Sequence, residues 1–136
     1  MGGRTRHTIL GRHADRIYAI FRIVVGFLFT CHGAQKLFGA FGGNPAELPP
    51  LLKFGGAIEL LGGLAILLGL FASWAAFLSS GMMAVAYFMA HFPKGFWPIE
   101  NGGELAVVYC FAFLYIAARG AGPWSVARAL GKPALE

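Results

Sequence analysis

RIVVGFLFTCHGAQKLFGAF, Arg22 to Phe41, is an apolar run with a polar line laid along it. Extended back to Ile17, the run is long enough to cross a bilayer at about 1.5 Å per helical residue. Yet it carries Arg22, His32, Gln35 and Lys36. At roughly 100° per residue, Arg22, Gly26, Phe29, Gly33 and Lys36 fall on one narrow stripe, with His32 one residue round from it. A charge left in hydrocarbon costs about 2.5 kcal/mol or more. The stripe must therefore face protein or water, so this helix needs partners.

The composition fits that requirement. Apolar residues make up 57% of the 136 residues and charged residues only 12%, too few for the surface of an ordinary soluble domain. Gly is abundant, as expected where membrane helices approach closely. A net charge of +5 raises nucleic acid as a partner, but the basic residues form no extended patch. They read instead as topology signals and contacts to anionic lipid. No cleavable signal peptide is expected, because the first apolar run is too long and no small-residue cleavage site comes after it.

Taken in order, residues 1–16 form a basic tail with Arg4, Arg6, Arg12 and Arg16. The expected spans are about 17–38, 51–71, 74–92 and 101–118. Gly42-Gly43-Asn44-Pro45 is turn chemistry, and Pro49-Pro50 suits the first turn of the second helix. In span two, Gly55, Glu59, Gly62 and Gly63 share a face, which sets the acid in a smooth groove. A break at Ala72-Ser73 allows only an antiparallel hairpin into span three, which ends in His91. Phe96-Trp97 in the next loop belongs at a membrane interface. Residues 119–136 form a second tail, with an interfacial helix expected over Pro123–Leu130, Trp124 at headgroup level and Arg128 in water.

The fold expected is all-α, an integral membrane four-helix bundle running up-down-up-down with both termini cytoplasmic. Arg4, Arg6, Arg12, Arg16, Arg119, Arg128 and Lys132 then lie inside, against Lys36, Lys53 and Lys94 outside. In that arrangement every helix sends a polar group to the outer half: His32 and Lys36, Glu59, His91, then Asn101 and Glu104. Antiparallel neighbours could bring these groups into one chamber, where Lys36 offsets Glu59 or Glu104. Two readings stand: a network fixing helix register, or a small polar site open to the outer face. Arg22 lies deep on the cytoplasmic side, where it either snorkels inward or pairs with a carboxylate.

Other chemistry finds little support. His32, His91, Glu59 and Glu104 are metal-ligand types but lack compact HxxxH or ExxH spacing, so no metal is assigned. Cys31 and Cys110 are read as small hydrophobes; a redox pair is the sharper alternative, without a CxxC motif and with Cys31 about 180° from Arg22. Ser79 and Ser80 lack an acid or base at helical spacing and read as packing residues. The methionines of span three read as core or lipid contact. The glycines at 39–43 lack the Lys-Ser/Thr of a phosphate loop.

FRIVVGFLFTCHGAQKLFG, GAIELLGGLAILLGL and AYFMAHFPKGFWPIENGGELAVVY together resemble the DoxX family of small bacterial membrane proteins. The resemblance runs over about Ile17 to Ala118, and the family's polar positions fall on Arg22, His32, Lys36, Glu59, His91 and Glu104. It implies a multi-pass protein of the bacterial cytoplasmic (inner) membrane. Relatives include a membrane subunit of thiosulfate:quinone oxidoreductase and a partner in a thiol-redox complex; distant ones act in assembly or trafficking.

Two functions are expected. In the first, the chain is a redox-associated subunit whose chamber holds a quinone headgroup. His32 or Lys36 donates to a carbonyl, and Glu59, with His91 or Glu104, relays protons; Phe27, Phe88 and Trp97 form walls, with Trp97 counted among the headgroup contacts. No covalent cofactor is expected, so electrons come from a partner protein, and the chain alone lacks full enzyme activity. In the second, it is a non-catalytic scaffold or assembly factor whose polar residues, Arg22 and Asn101 among them, are structural. A small-solute carrier, as a homo-oligomer, is a weaker third.

Overall fold

The computed structural model describes residues 8–136; Arg4 and Arg6 of the expected basic tail lie outside the described residues. Among the described residues the chain is all helical, without a strand. Its long helices are α1 (Ala14–Phe38), α2 (Pro50–Leu68) and α3 (Ala72–Ala86). A short α4 (Pro98–Asn101), then α5 (Glu104–Arg119) and a short α6 (Val126–Ala129) complete the order. Among the described residues, three helical stretches are long and apolar enough to cross a membrane: Gly11–Phe38, Pro50–Leu68 and Ala72–Lys94. The surface agrees with that reading, since many large apolar side chains such as Leu61, Phe77, Leu78 and Phe111 are exposed.

The stripe on α1 is its buried face: Arg22, Gly26, Phe29 and Gly33 are all buried. It packs on α2 almost backbone to backbone. A Cβ at Gly26 would stand 2.5 Å from Leu67 N and 2.9 Å from Gly63 O, and one at Gly33 only 2.7 Å from Gly56 O. The contacts run in opposite directions along the two helices, so the pair is antiparallel. The paired glycines of α2 divide their work. Gly56 and Gly63 face α1, while Gly55 and Gly62 face Met82 and Ser79 of α3. A seven-residue repeat keeps both lines in register, because two turns nearly close on it.

Helix α3 is held to α5 by hydroxyls that reach across the seam. Ser73 Oγ donates to Ala117 O at 2.7 Å and Ser80 Oγ to Cys110 O at 2.8 Å. Interhelical bonds of this kind suit helices that lipid surrounds. Phe29 of α1 meets Phe113 of α5 edge-on at 4.5 Å, and Tyr109 stacks on Phe113 at 5.4 Å. These aromatics form the middle of the core.

Several boundaries differ from expectation, each for a local reason. Helix α2 ends at Leu68 because Gly69 takes the left-handed conformation (φ +68) and its N–H turns back to Ala65 O and Ile66 O. The helix expected over 101–118 is interrupted: Asn101 closes the separate turn α4, and Gly102 (φ +74) breaks the chain before Glu104. The interfacial helix expected over Pro123–Leu130 is a single turn. Its Ala127 is buried with Ala72 and Ala121, so the segment docks onto the helix ends. Phe71 N donates to Leu135 O and Ser73 N to Glu136 O, closing the start of α3. Trp124 and Arg128 are exposed.

Candidate functional site

The structure brings Lys36 and Glu59 together. Lys36 Nζ donates to Glu59 Oε1 at 2.7 Å. The pair forms because Gly56, one turn before Glu59, lets α1 come close enough for the lysine stem to lie on α2 (a Cβ at Gly56 would stand 2.9 Å from Lys36 Cβ). Glu59 is 3% exposed, whereas 29% of the Lys36 side chain is accessible. The second carboxylate oxygen, Oε2, is buried and has no hydrogen-bond partner among the described residues. A buried anionic acceptor without a partner costs more than any ordinary hydrogen bond returns, so it calls for an explanation.

One lies beside it. Lys36 and Glu59 line a cleft of about 490 Å³ between α2 and α3. Its other walls include Leu52, Gly55, Met82, Met83 and Met89. The cleft is apolar except for the ion pair, and methionine walls adapt to the shape of an occupant. The signal that marks these methionines is their position on the face of α3 that meets Gly55, and that face becomes visible only once the helices are docked.

The remaining polar residues do not all join this cleft. His32 is half-buried and stands edge-on to Tyr109 at 6.0 Å, on the α5 side of α1. His91, Asn101 and Tyr87 form a second group. His91 Nδ1 lies 3.2 Å from Asn101 O, and the His91 ring stacks with Tyr87. Asn101 is 3% exposed and fully engaged: Nδ2 donates to Tyr87 Oη and Gly95 O, and Oδ1 accepts from Gly103 N at 2.8 Å. A π-turn over Tyr87–His91 carries this group. One extra residue in the turn rotates the residues after it by about 100°, which sends His91 toward α4 while Met89 and Ala90 line the cleft. Glu104 is exposed in the first turn of α5, a place where an acid complements the helix dipole. Phe27, Phe88 and Trp97 are exposed and do not wall the cleft.

Arg22 pairs with no carboxylate among the described residues and does not snorkel. It is fully buried, and its guanidinium donates to four main-chain carbonyls, with only Nε left over. Nη1 reaches Ile66 O at 2.6 Å and Leu67 O at 2.9 Å, carbonyls of the last turn of α2. Nη2 reaches Trp124 O at 2.8 Å and Pro123 O at 3.2 Å. A cation here meets the negative end of the α2 dipole and ties the C-terminal segment to it. Nearby, Arg119 pairs with Asp15, donates to Tyr115 Oη and lies over the Tyr18 ring at 4.3 Å.

Cys31 and Cys110 are both half-buried free thiols, the latter 3.6 Å from Ser80 Oγ. No group of three or more His, Cys, Asp or Glu side chains is placed to hold a metal among the described residues.

The model of the DoxX family matches residues 17–92, the stretch that carries α1, α2, α3 and the π-turn. An uncharacterized protein of Haemophilus influenzae is 43% identical over 120 residues, covering 83% of this chain and 90% of that protein. No solved structure matches. The match spans more than half of the chain, includes both members of the Lys36–Glu59 pair, and extends through a relative of nearly the same length: the chain belongs to the DoxX family.

Proposed function

We propose that this membrane protein binds the headgroup of a quinone in the Lys36–Glu59 cleft and works with an oxidoreductase partner in the bacterial inner membrane. The observation that carries the reading is the buried, unpartnered Oε2 of Glu59, a residue that lines an apolar cleft. The residues present fit such a ligand. Lys36 spends one of its three N–H groups on Glu59 and can present another to a carbonyl oxygen. Oε2 can accept from a hydroxyl, or take up and return a proton at that atom. Gly55 leaves room for a flat ring, and the methionines close on its faces. A bound quinone would supply a two-electron, two-proton acceptor, with the electrons coming from a partner subunit or a soluble thiol donor.

The same proposal places four spans in the membrane, up-down-up-down, with both termini cytoplasmic. Helix α5 has 16 residues, about 24 Å, and local thinning of the bilayer accommodates a span that short. Arg12, Arg16, Arg119, Arg128 and Lys132 gather at one end, against Lys36, Lys53 and Lys94 at the other.

A scaffold role is the second reading, and the Asn101 group favours it, because its bonds are complete and fix helix register without a ligand. The test uses protein purified from native membranes in mild detergent, with extracted quinone quantified per chain. Near-stoichiometric quinone in the wild type, lost in folded Glu59→Gln and retained in His32→Ala, whose side chain faces Tyr109 and not the cleft, is the expected result. Quinone no higher than in a control membrane protein would sink the headgroup reading and leave the scaffold.

A further inference from the structure

The cleft does not end at the ion pair. A second apolar groove of about 350 Å³ continues along the same seam between α2 and α3. The two share Phe54 and Ile58 as walls and lie end to end along the seam. The groove goes on past Ala57, Leu61 and Leu78 to Ala75, and Gly62 and Ser79 form its inner edge. From Ala90 to Ala75 along α3 cleft and groove together cover about 20 Å, close to two thirds of the roughly 30 Å hydrocarbon core. Their polar groups gather at one end: Lys36 and Glu59 lie in the cleft, while the groove beyond offers only the Ser79 hydroxyl.

We infer that the ligand of the cleft is a long-chain amphiphile, and that its apolar tail lies in the α2–α3 groove with the head at Lys36–Glu59. The inference rests on the headgroup reading and adds the tail site. Continuity with the cleft names the occupant: a chain attached to the head reaches Phe54 and Ile58 first and has no polar group to pass until Ser79. The tail gains little from leaving lipid, which is as apolar as the groove. The groove adds contact in one fixed path. A preference of about tenfold for a long tail over a short one corresponds to roughly ten well-made carbon–carbon contacts.

The experiment reconstitutes the full chain in phospholipid nanodiscs and measures binding at equal mole fraction in the membrane. The probes are a benzoquinone with several isoprene units, the same ring with one unit, and the ring alone. The expected result is a long-tail preference of about tenfold that Ala57→Phe, which fills the groove below the cleft, removes without weakening the ring alone. Ala75→Leu makes the same comparison if Ala57→Phe does not fold, and the chain-length series needs no variant. Equal affinity for long and short tails overturns the tail site while the headgroup reading stands; a groove held by bulk acyl chains or by a second copy of the chain would give that result. No binding of any probe by the wild type overturns the headgroup reading and the tail site with it.

Discussion

Arg22 and Lys36 stand on one stripe of α1, about 21 Å apart along its axis, and the structure treats them differently. Arg22 is sealed from solvent and spends its charge on four carbonyls from two elements. Lys36 keeps partial access, holds a single partner, and leaves that partner with a bare buried oxygen beside a cleft. Arg22 is walled in by main chain, whereas Lys36 and Glu59 both line a cavity. The difference separates a charge used to close a fold from a charge held ready for something else. Burial alone does not make the distinction, because Glu59 is nearly as buried as Arg22.

The largest effect is expected at the closed end. Arg22→Leu removes four charge-assisted hydrogen bonds and leaves Leu67 O, Pro123 O and Trp124 O without this donor, while Ile66 O keeps only Gly69 N. Recovering the cost of a membrane-buried charge offsets part of that. A net loss of about 4 kcal/mol is expected, read by equilibrium unfolding in mixed micelles. Arg22→Lys should recover little, because a point charge cannot fork to two elements. If Arg22→Leu stays near wild-type stability, the contrast between the two ends fails.

Asn101→Ala tests whether depth, rather than hydrogen-bond completion, separates the two kinds of site. Asn101 belongs to the same end of the bundle as His91, yet its amide is fully engaged within the protein. Its loss leaves Gly103 N without its acceptor, and about 3 kcal/mol should go, again by unfolding, with quinone content per folded chain unchanged. A folded Asn101→Ala protein that loses its quinone would extend the site to this second group.

How far the sequence reaches divides along the same line. The stripe, the glycine-rich α2, the approach of Lys36 to Glu59 and the all-helical membrane architecture are legible, because periodicity and charge in apolar runs report directly on which faces must be covered. The partners of Arg22 are not, because they are main-chain carbonyls, which every residue carries. The single chamber expected for His91 and Glu104 is not found either. It assumes uninterrupted α-helices, and the π-turn at Tyr87–His91 and the left-handed Gly102 each rotate the register by an amount that no local composition announces. The docked segment after Gly120 reads as a tail because its short apolar residues become core only against Ala72.

Gly33→Ala probes the link between the packing and the open end. A Cβ there would meet the main chain of Gly56 and Leu60, so α1 must move away from α2. Overpacking of this kind costs about 2 kcal/mol. Because Gly33 lies one turn before Lys36, the shift should also loosen the ion pair and lower quinone occupancy. Gly81→Ala, with open space around its Cβ, is the control and should be neutral or slightly stabilising in the same unfolding assay.

The smallest stability change is expected where the functional change is greatest. Glu59→Gln keeps the shape of the side chain and makes it neutral, with an NH2 in place of one carboxylate oxygen. It breaks the bridge to Lys36, but 29% of that side chain is accessible, so the freed ammonium can turn outward and keep its hydration. Less than about 1 kcal/mol should be lost. Lys36→Met removes the other half of the same pair and should cost more, since it strands a carboxylate that is 3% exposed without its cation. That asymmetry follows from burial under either role, so quinone content separates them: a folded Glu59→Gln that kept wild-type quinone would leave the pair as structural glue. If Glu59 is kept for a ligand, Glu59→Gln gives a stable protein that has lost its quinone.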